Sequence, residues 1–347
     1  MRGRLRILLL SIIMLFAGMQ ESGAVSFALD SIAEWGKFPR FCIGVYRWGD
    51  KFFNTYDSTY VKGTGYKFNG KITADSWMDV YNFRIPGGNS IYMNSDASTS
   101  MGLYLTYLAV SVGYDINFSK LFGGPDRSRQ RFRFGFNCAL FSAEAYMSKN
   151  DVGAKMTKFG DYNPNLPFNG INNESWGLDA YYFFNNKRYS EAAAFNYSKI
   201  QQRSQGSWCA GFSIYSQKLD FDFSSLPKFM LEQLPDWWNG YRYKVDTSNY
   251  AIRFGYGYNW VFHRGWLLGV SETPIVGLRK GYINDEYRKY SMSLYNRFKL
   301  SVVWNHDRWF AGVTTRFDAA IITDKQTFYA GGVLSGEAAV GYRFNLW

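Results

Sequence analysis

Histidine and cysteine are scarce in this 347-residue chain, with two of the first and three of the second. His263 and His306 are too few for a histidine-rich metal site, and no carboxylate cluster has the spacing of a calcium loop, so no metal or other cofactor is expected. Cys42, Cys138 and Cys209 are odd in number and far apart, which excludes a disulfide framework and suits small buried apolar side chains. After residue 24 no apolar run reaches the roughly 20 residues that a membrane-crossing helix needs, and the mean hydropathy of −0.28 is that of a water-soluble protein. The net charge is +11, yet there is no lysine-rich run and no nucleic-acid motif, so nucleic acid is not an expected partner.

What is present points to the cell envelope. Met1 to Ala24 reads as a secretory leader: Arg2, Arg4 and Arg6 are the basic start, Ile7 to Gly18 the apolar stretch, and Ser22-Gly23-Ala24 the small-residue cleavage site. The strongest periodic signal runs from Tyr250 through Ile252, Phe254, Tyr256, Tyr258 and Trp260 to Phe262. Between them stand Ala251, Arg253, Gly255, Gly257 and Asn259. A strand with one aromatic face and one small or polar face fits lipid on one side and a filled or watery lumen on the other. Aromatic residues make up 20% of the chain, an excess that girdles at both membrane interfaces would use.

The expected fold is all-β: a closed antiparallel up-and-down transmembrane β-barrel of residues 25–347. Strands are expected at Phe41–Trp48, Trp77–Ile85, Ser98–Thr106, Leu108–Phe118, Arg131–Phe141, Ser175–Asn185, Glu191–Ser198, Ser207–Leu219, Asn249–Phe262, Gly265–Leu278, Tyr290–Trp304, Arg308–Ile321 and Gly336–Leu346. Bacterial barrels have an even number of strands, so this odd set implies about 12, within 10–14. A weak strand within Lys51–Lys71 or Thr327–Val333, or the fusion of two short segments, would restore parity. A short helical loop is expected near 226–234, between Pro227 and Pro235.

The polar phase of these strands supplies the candidate lumen residues. Basic candidates are Arg131, Arg133, Arg253, Arg297, Lys299, Arg316 and Arg343, and acidic candidates are Asp79, Asp179, Asp318 and Glu337. Charges in a barrel wall must be paired or hydrated. An open basic lumen would favour anionic solutes, whereas a zipped one would be a rigid plug. Inward glycines at 135, 211, 255, 257, 312 and 341 leave room for large side chains opposite. Trp237, Trp238, Tyr241 and Tyr243 in the long loop after Asp222 offer stacking faces for glycans, or anchors at the interface. Both histidines fall in tight turns, at the end away from the outer leaflet. No catalytic residues are therefore assigned.

The leading expectation is a narrow channel for small, possibly anionic, solutes. The alternative is a sealed barrel whose aromatic loops bind glycans or a partner protein, and an envelope-lipid enzyme ranks third. Outer-membrane lipids and lipopolysaccharide are the expected surroundings.

Two resemblances sharpen this. The last strand, ending at Trp347, resembles the terminal signal read by the outer-membrane barrel assembly machinery, with Trp347 one residue out of phase with Ala338, Val340, Tyr342, Phe344 and Leu346. The stretches Asn185-Asn186-Lys187-Arg188-Tyr189-Ser190, Ala193-Ala194-Phe195-Asn196-Tyr197-Ser198 and Gln202-Arg203-Ser204-Gln205-Gly206-Ser207 resemble the centre of an uncharacterised outer-membrane family, domain of unknown function 4421. The likeness extends loosely from about Phe38 to the carboxyl end. It implies an envelope barrel and no catalytic residue.

Overall fold

The computed structural model describes residues 55–345 apart from 96, 108, 118–128, 151–152 and 325–326. The leader, the expected strand Phe41–Trp48, Cys42 and Trp347 lie outside the described residues.

In chain order the strands are β1 (Val61–Gly63), β2 (Phe68–Arg84), β3 (Ser90–Ser95), β4 (Ser98–Tyr107), β5 (Val110–Asn117), β6 (Arg129–Asn137), β7 (Phe141–Asn150), β8 (Ala154–Phe159), β9 (Leu166–Phe168) and β10 (Ile171–Phe183). They continue as β11 (Lys199–Gln201), β12 (Gln205–Asp222), β13 (Arg242–His263), β14 (Trp266–Ile283), β15 (Glu286–His306), β16 (Trp309–Asp324) and β17 (Thr327–Phe344). Helix α1 is Glu191–Phe195 and α2 is Lys228–Leu231.

β2, β4–β7, β10 and β12–β17 form one antiparallel sheet in which each strand pairs with the next. It closes where β17 pairs with β2 from Phe328↔Arg84 to Phe344↔Phe68. The result is a 12-strand barrel. Closure removes the exposed edges that lipid cannot satisfy. β3, β8 and β9 extend the sheet beside the upper end of β2, and β1 pairs with β11 at the other end.

The alternation decides which way side chains point. On β13, Thr247, Asn249, Ala251 and Arg253 are buried in the lumen, while Tyr250, Ile252, Phe254, Tyr256, Tyr258, Trp260 and Phe262 are exposed on the outer surface. Trp208, Trp260, Trp266 and Trp309 mark one end of the apolar belt, and Tyr282, Tyr287 and Tyr290 the other. These are the girdles of a membrane barrel. No described helix is long and apolar enough to cross a membrane.

Two local expectations are corrected. Glu191–Ser198 is not a strand. Ser190 caps α1 by accepting a bond from the Ala193 N–H, at 3.2 Å, and the three alanines Ala192, Ala193 and Ala194 favour helix. Phe141–Asn150, which falls between the expected strands Arg131–Phe141 and Ser175–Asn185, is a further barrel strand, β7. Its outward Ala143 and Ala145 are too small to mark a lipid face by hydropathy. Thr327–Val333 is the upper part of β17, and the helical loop is a single turn.

Tight turns at Arg264-Gly265 and Asp307-Arg308 lie at the end where the long connections do not, which by the usual rule is periplasmic. The 184–204 connection is the exception. It is long, and it turns inward.

Candidate functional site: a lumen closed from both ends

The insert at 184–204 enters the barrel from the short-turn end. Ala193, Ala194 and Tyr197 pack against the wall residues Leu267, Val303, Phe310 and Ala339, making an apolar seal. Wall glycines make the fit possible: a Cβ on Gly269 would stand 2.6 Å from Ala194 Cβ, and one on Gly312 would stand 2.6 Å from the Tyr197 ring. Polar bonds hold the rest. Asn259 Nδ2 donates to the Ser190 carbonyl at 2.8 Å, and Arg343 Nη2 donates to the Tyr197 carbonyl at 2.9 Å. Glu191 pairs with Lys299 on the wall and accepts from the Tyr189 hydroxyl at 2.6 Å. The family-like stretch is therefore the insert itself.

The opposite end is closed by an apolar cap. Phe83 sits at its centre, with the rings of Phe221, Trp238, Tyr243 and Tyr329 at centroid distances of 4.9, 5.7, 5.2 and 4.9 Å. Met156, Phe159, Phe168 and Met230 come from the loop strands and α2. This corrects the loop aromatics as an outward stacking platform. Trp238 and Tyr243 are fully buried, Trp237 packs against the cap, and only Tyr241 is exposed. The apolar faces of these rings gain more from one another than from water.

Between insert and cap the lumen is polar and zipped by charge. Asp179 binds Arg253 at 2.7 Å and Arg297 at 2.8 Å and accepts from the Ser213 hydroxyl at 2.6 Å. Arg297 also reaches Asp318 at 2.7 Å, which Arg316 joins from the other side at 2.5 Å. A second group joins Glu337 to Lys71 at 2.7 Å, and Arg133 to Asp115 and Glu337 at 3.3 and 3.5 Å. Arg343 and Arg279 are held by neutral groups: Asn305 and backbone carbonyls for Arg343, Asn249 and Tyr295 for Arg279. Asp79 is buried on the lumen side of β2, its N–H donating to Ser95. Arg131 pairs through its backbone with Asp115, and its side chain lies outside the described residues.

Sequence reading missed Lys71, Asp75, Asp115, Glu191 and Arg279. Asp75 shares the phase of Asp79 and was findable from it. Glu191 was missed because its segment read as a strand, although Ser190 and the alanines after it carry a helix signal.

Among the described residues the lumen holds a cavity of about 180 Å³ lined by Asp179, Tyr215, Tyr295, Arg297, Arg316 and Asp318 among others. A smaller one of about 70 Å³ shares Arg316 and Ser335 with it. Ligand pockets usually begin near ~300 Å³. No grouping of His, Cys, Asp and Glu able to hold a metal occurs among the described residues. His263 is exposed in its turn and His306 stacks on Trp304 with centroids 5.8 Å apart.

A family model described as a domain of unknown function (DUF4421) matches residues 55–344, most of the chain. The chain belongs to the DUF4421 family. No curated protein matches it in sequence. Among solved structures, this DUF4421 barrel is similar to the translocator domain of autotransporter NalP from Neisseria meningitidis, at 12% identity and TM-score 0.40, over 80% of this chain and 88% of that one. The outer membrane protease OmpT from Escherichia coli matches at 8% identity and TM-score 0.34, over 80% and 96%. The P. putida toluene transporter TodX matches at 7% and 0.29, over 81% and 91%.

Proposed function

We propose that the protein is a closed, non-enzymatic outer-membrane barrel that acts through its outer face and extracellular cap, and not by letting solutes diffuse through. The observation that supports this is the insert: its Ala193, Ala194 and Tyr197 are buried to 1% or less among wall residues. The pairing of the wall bases with carboxylates also removes most of the field that would select anions. Contacts with a glycan or partner protein would fall on the exposed aromatics of the cap, where Tyr162 and Phe229 lie 5.2 Å apart and Tyr241 is exposed. Outer-membrane lipids, lipopolysaccharide among them, would surround the belt, and the barrel assembly machinery would read the strand ending at Trp347.

A narrow channel is the second reading, supported by the polar chamber between the two seals. It requires the insert to leave. Planar bilayers separate the two. The purified wild-type chain is expected to be silent across several voltages and salts, and discrete steady conductance would replace the closed reading with the channel.

A further inference from the structure

The outer face of β14 and β15 breaks the rule that only apolar groups meet lipid. Glu272 and Pro274 are exposed on that face, and Asn296 on β15 donates through Nδ2 to Glu272 Oε1 at 2.6 Å. Their neighbours Ser271, Thr273 and Arg297 point into the lumen. Pro274 lies midway between Trp266 and Tyr282, the girdle residues at the two ends of this face, so the polar pair sits near the membrane midplane. The wall is also interrupted there. β13 pairs with β14 at Arg253↔Ile275 and again at Tyr256↔Glu272, and the two rungs between, opposite Pro274 and Thr273, are missing. Proline has no N–H to donate, and hydrocarbon supplies no substitute.

An ionisable group at this depth is expensive unless something covers it, and its cost falls when a second polar group meets it. The Asn296 bond engages one carboxylate oxygen and one amide N–H, leaving an acceptor and a donor at nearly the same depth. We propose that this patch is an interface between two copies of the chain. Copies inserted in the same direction can be related by a twofold axis along the membrane normal, which preserves depth. That axis brings each copy's free Asn296 N–H to the other's free Glu272 oxygen, so the patch is complementary to itself. The interface is independent of whether the lumen is open or closed.

The test is the mass of the full chain in lipid nanodiscs, combined with cysteine cross-linking in the membrane. Wild type is expected to be a dimer. Glu272→Leu with Asn296→Leu is expected to weaken it at least tenfold while the barrel still inserts and migrates as a folded species, because both changes make the lipid face more apolar. Leu294→Cys, outward beside the patch, is expected to cross-link copy to copy, and Leu103→Cys on the distant strand β4 is not. If the double variant fails to insert, the two added-cysteine chains, each made with Cys42, Cys138 and Cys209 replaced by serine, still decide the matter. A monomeric wild type, a dimer unaffected by the double substitution, equal cross-linking at both cysteines, or capture of a different protein at Leu294→Cys would each overturn the proposal.

Discussion

Tyr197 lies over Gly312, and its ring stacks on Phe310 with centroids 5.0 Å apart and planes 22° apart. One aromatic residue of the insert thus reads two wall residues more than a hundred positions away, and a side chain at Gly312 has nowhere to go.

Gly312→Leu is therefore expected to push the insert off the wall. Overpacking of this kind costs about 1–3 kcal/mol. Limited proteolysis of the detergent-folded barrel should cut within 184–204 faster than in wild type, and bilayers should show conductance that wild type lacks. Unchanged cleavage with unchanged melting would mean that the contact does not hold the insert.

Asp179 is the hub of the central ion pairs. Asp179→Asn leaves Arg253 and Arg297 short of their shared counter-charge, and breaking a buried pair from one side costs about 3–5 kcal/mol. The expected result is a lowered unfolding midpoint in denaturant. Adding Arg253→Met to Asp179→Asn should recover part of it, since the coupled pair is then removed together. Strict additivity of the two changes would contradict the pairing.

Cys138, in the turn between β6 and β7, is a buried free thiol whose hydrogen accompanies a contact to the Phe141 carbonyl at 3.2 Å. Burial pushes its pKa up to about 11. Because the thiolate is the nucleophile, alkylation mapped by mass spectrometry should leave Cys138 unmodified at pH 7–8 in the folded barrel and should label it as pH approaches 11. The sign for stability follows: a thiol pKa raised by folding favours the folded state increasingly little as pH climbs past the unfolded value near 8.5, so alkaline pH should destabilise the barrel. Rapid labelling at neutral pH would show the turn to be open.

Much of the barrel was legible because each strand carries its own evidence. In β13 the two faces differ at every step from Tyr250 to Phe262, and nothing distant is needed to tell lipid from lumen. The same phase located Arg253, Arg297, Asp179 and Asp318. β7 escaped because Ala143 and Ala145 carry no lipid signal, although neighbouring strands make their position unambiguous in space. For α1 a local signal existed, in Ser190, Glu191 and the three alanines. It was outweighed by the alternation of Ala193, Phe195 and Tyr197 with polar residues.

By itself, then, the sequence determined the membrane barrel and the inward charges, since period-two alternation is a property of consecutive residues. Only the tertiary structure decided that an insert and an apolar cap pack into the two ends of the barrel. The Tyr197 seal depends on Gly312 and Phe310, and the burial of Trp238 on Phe83, residues that come together through closure of the barrel and leave no mark on the local pattern. Which wall charge finds which partner has the same cause: Asp179 and Arg297 are on strands four places apart round the barrel, and no local spacing encodes a distance across a lumen.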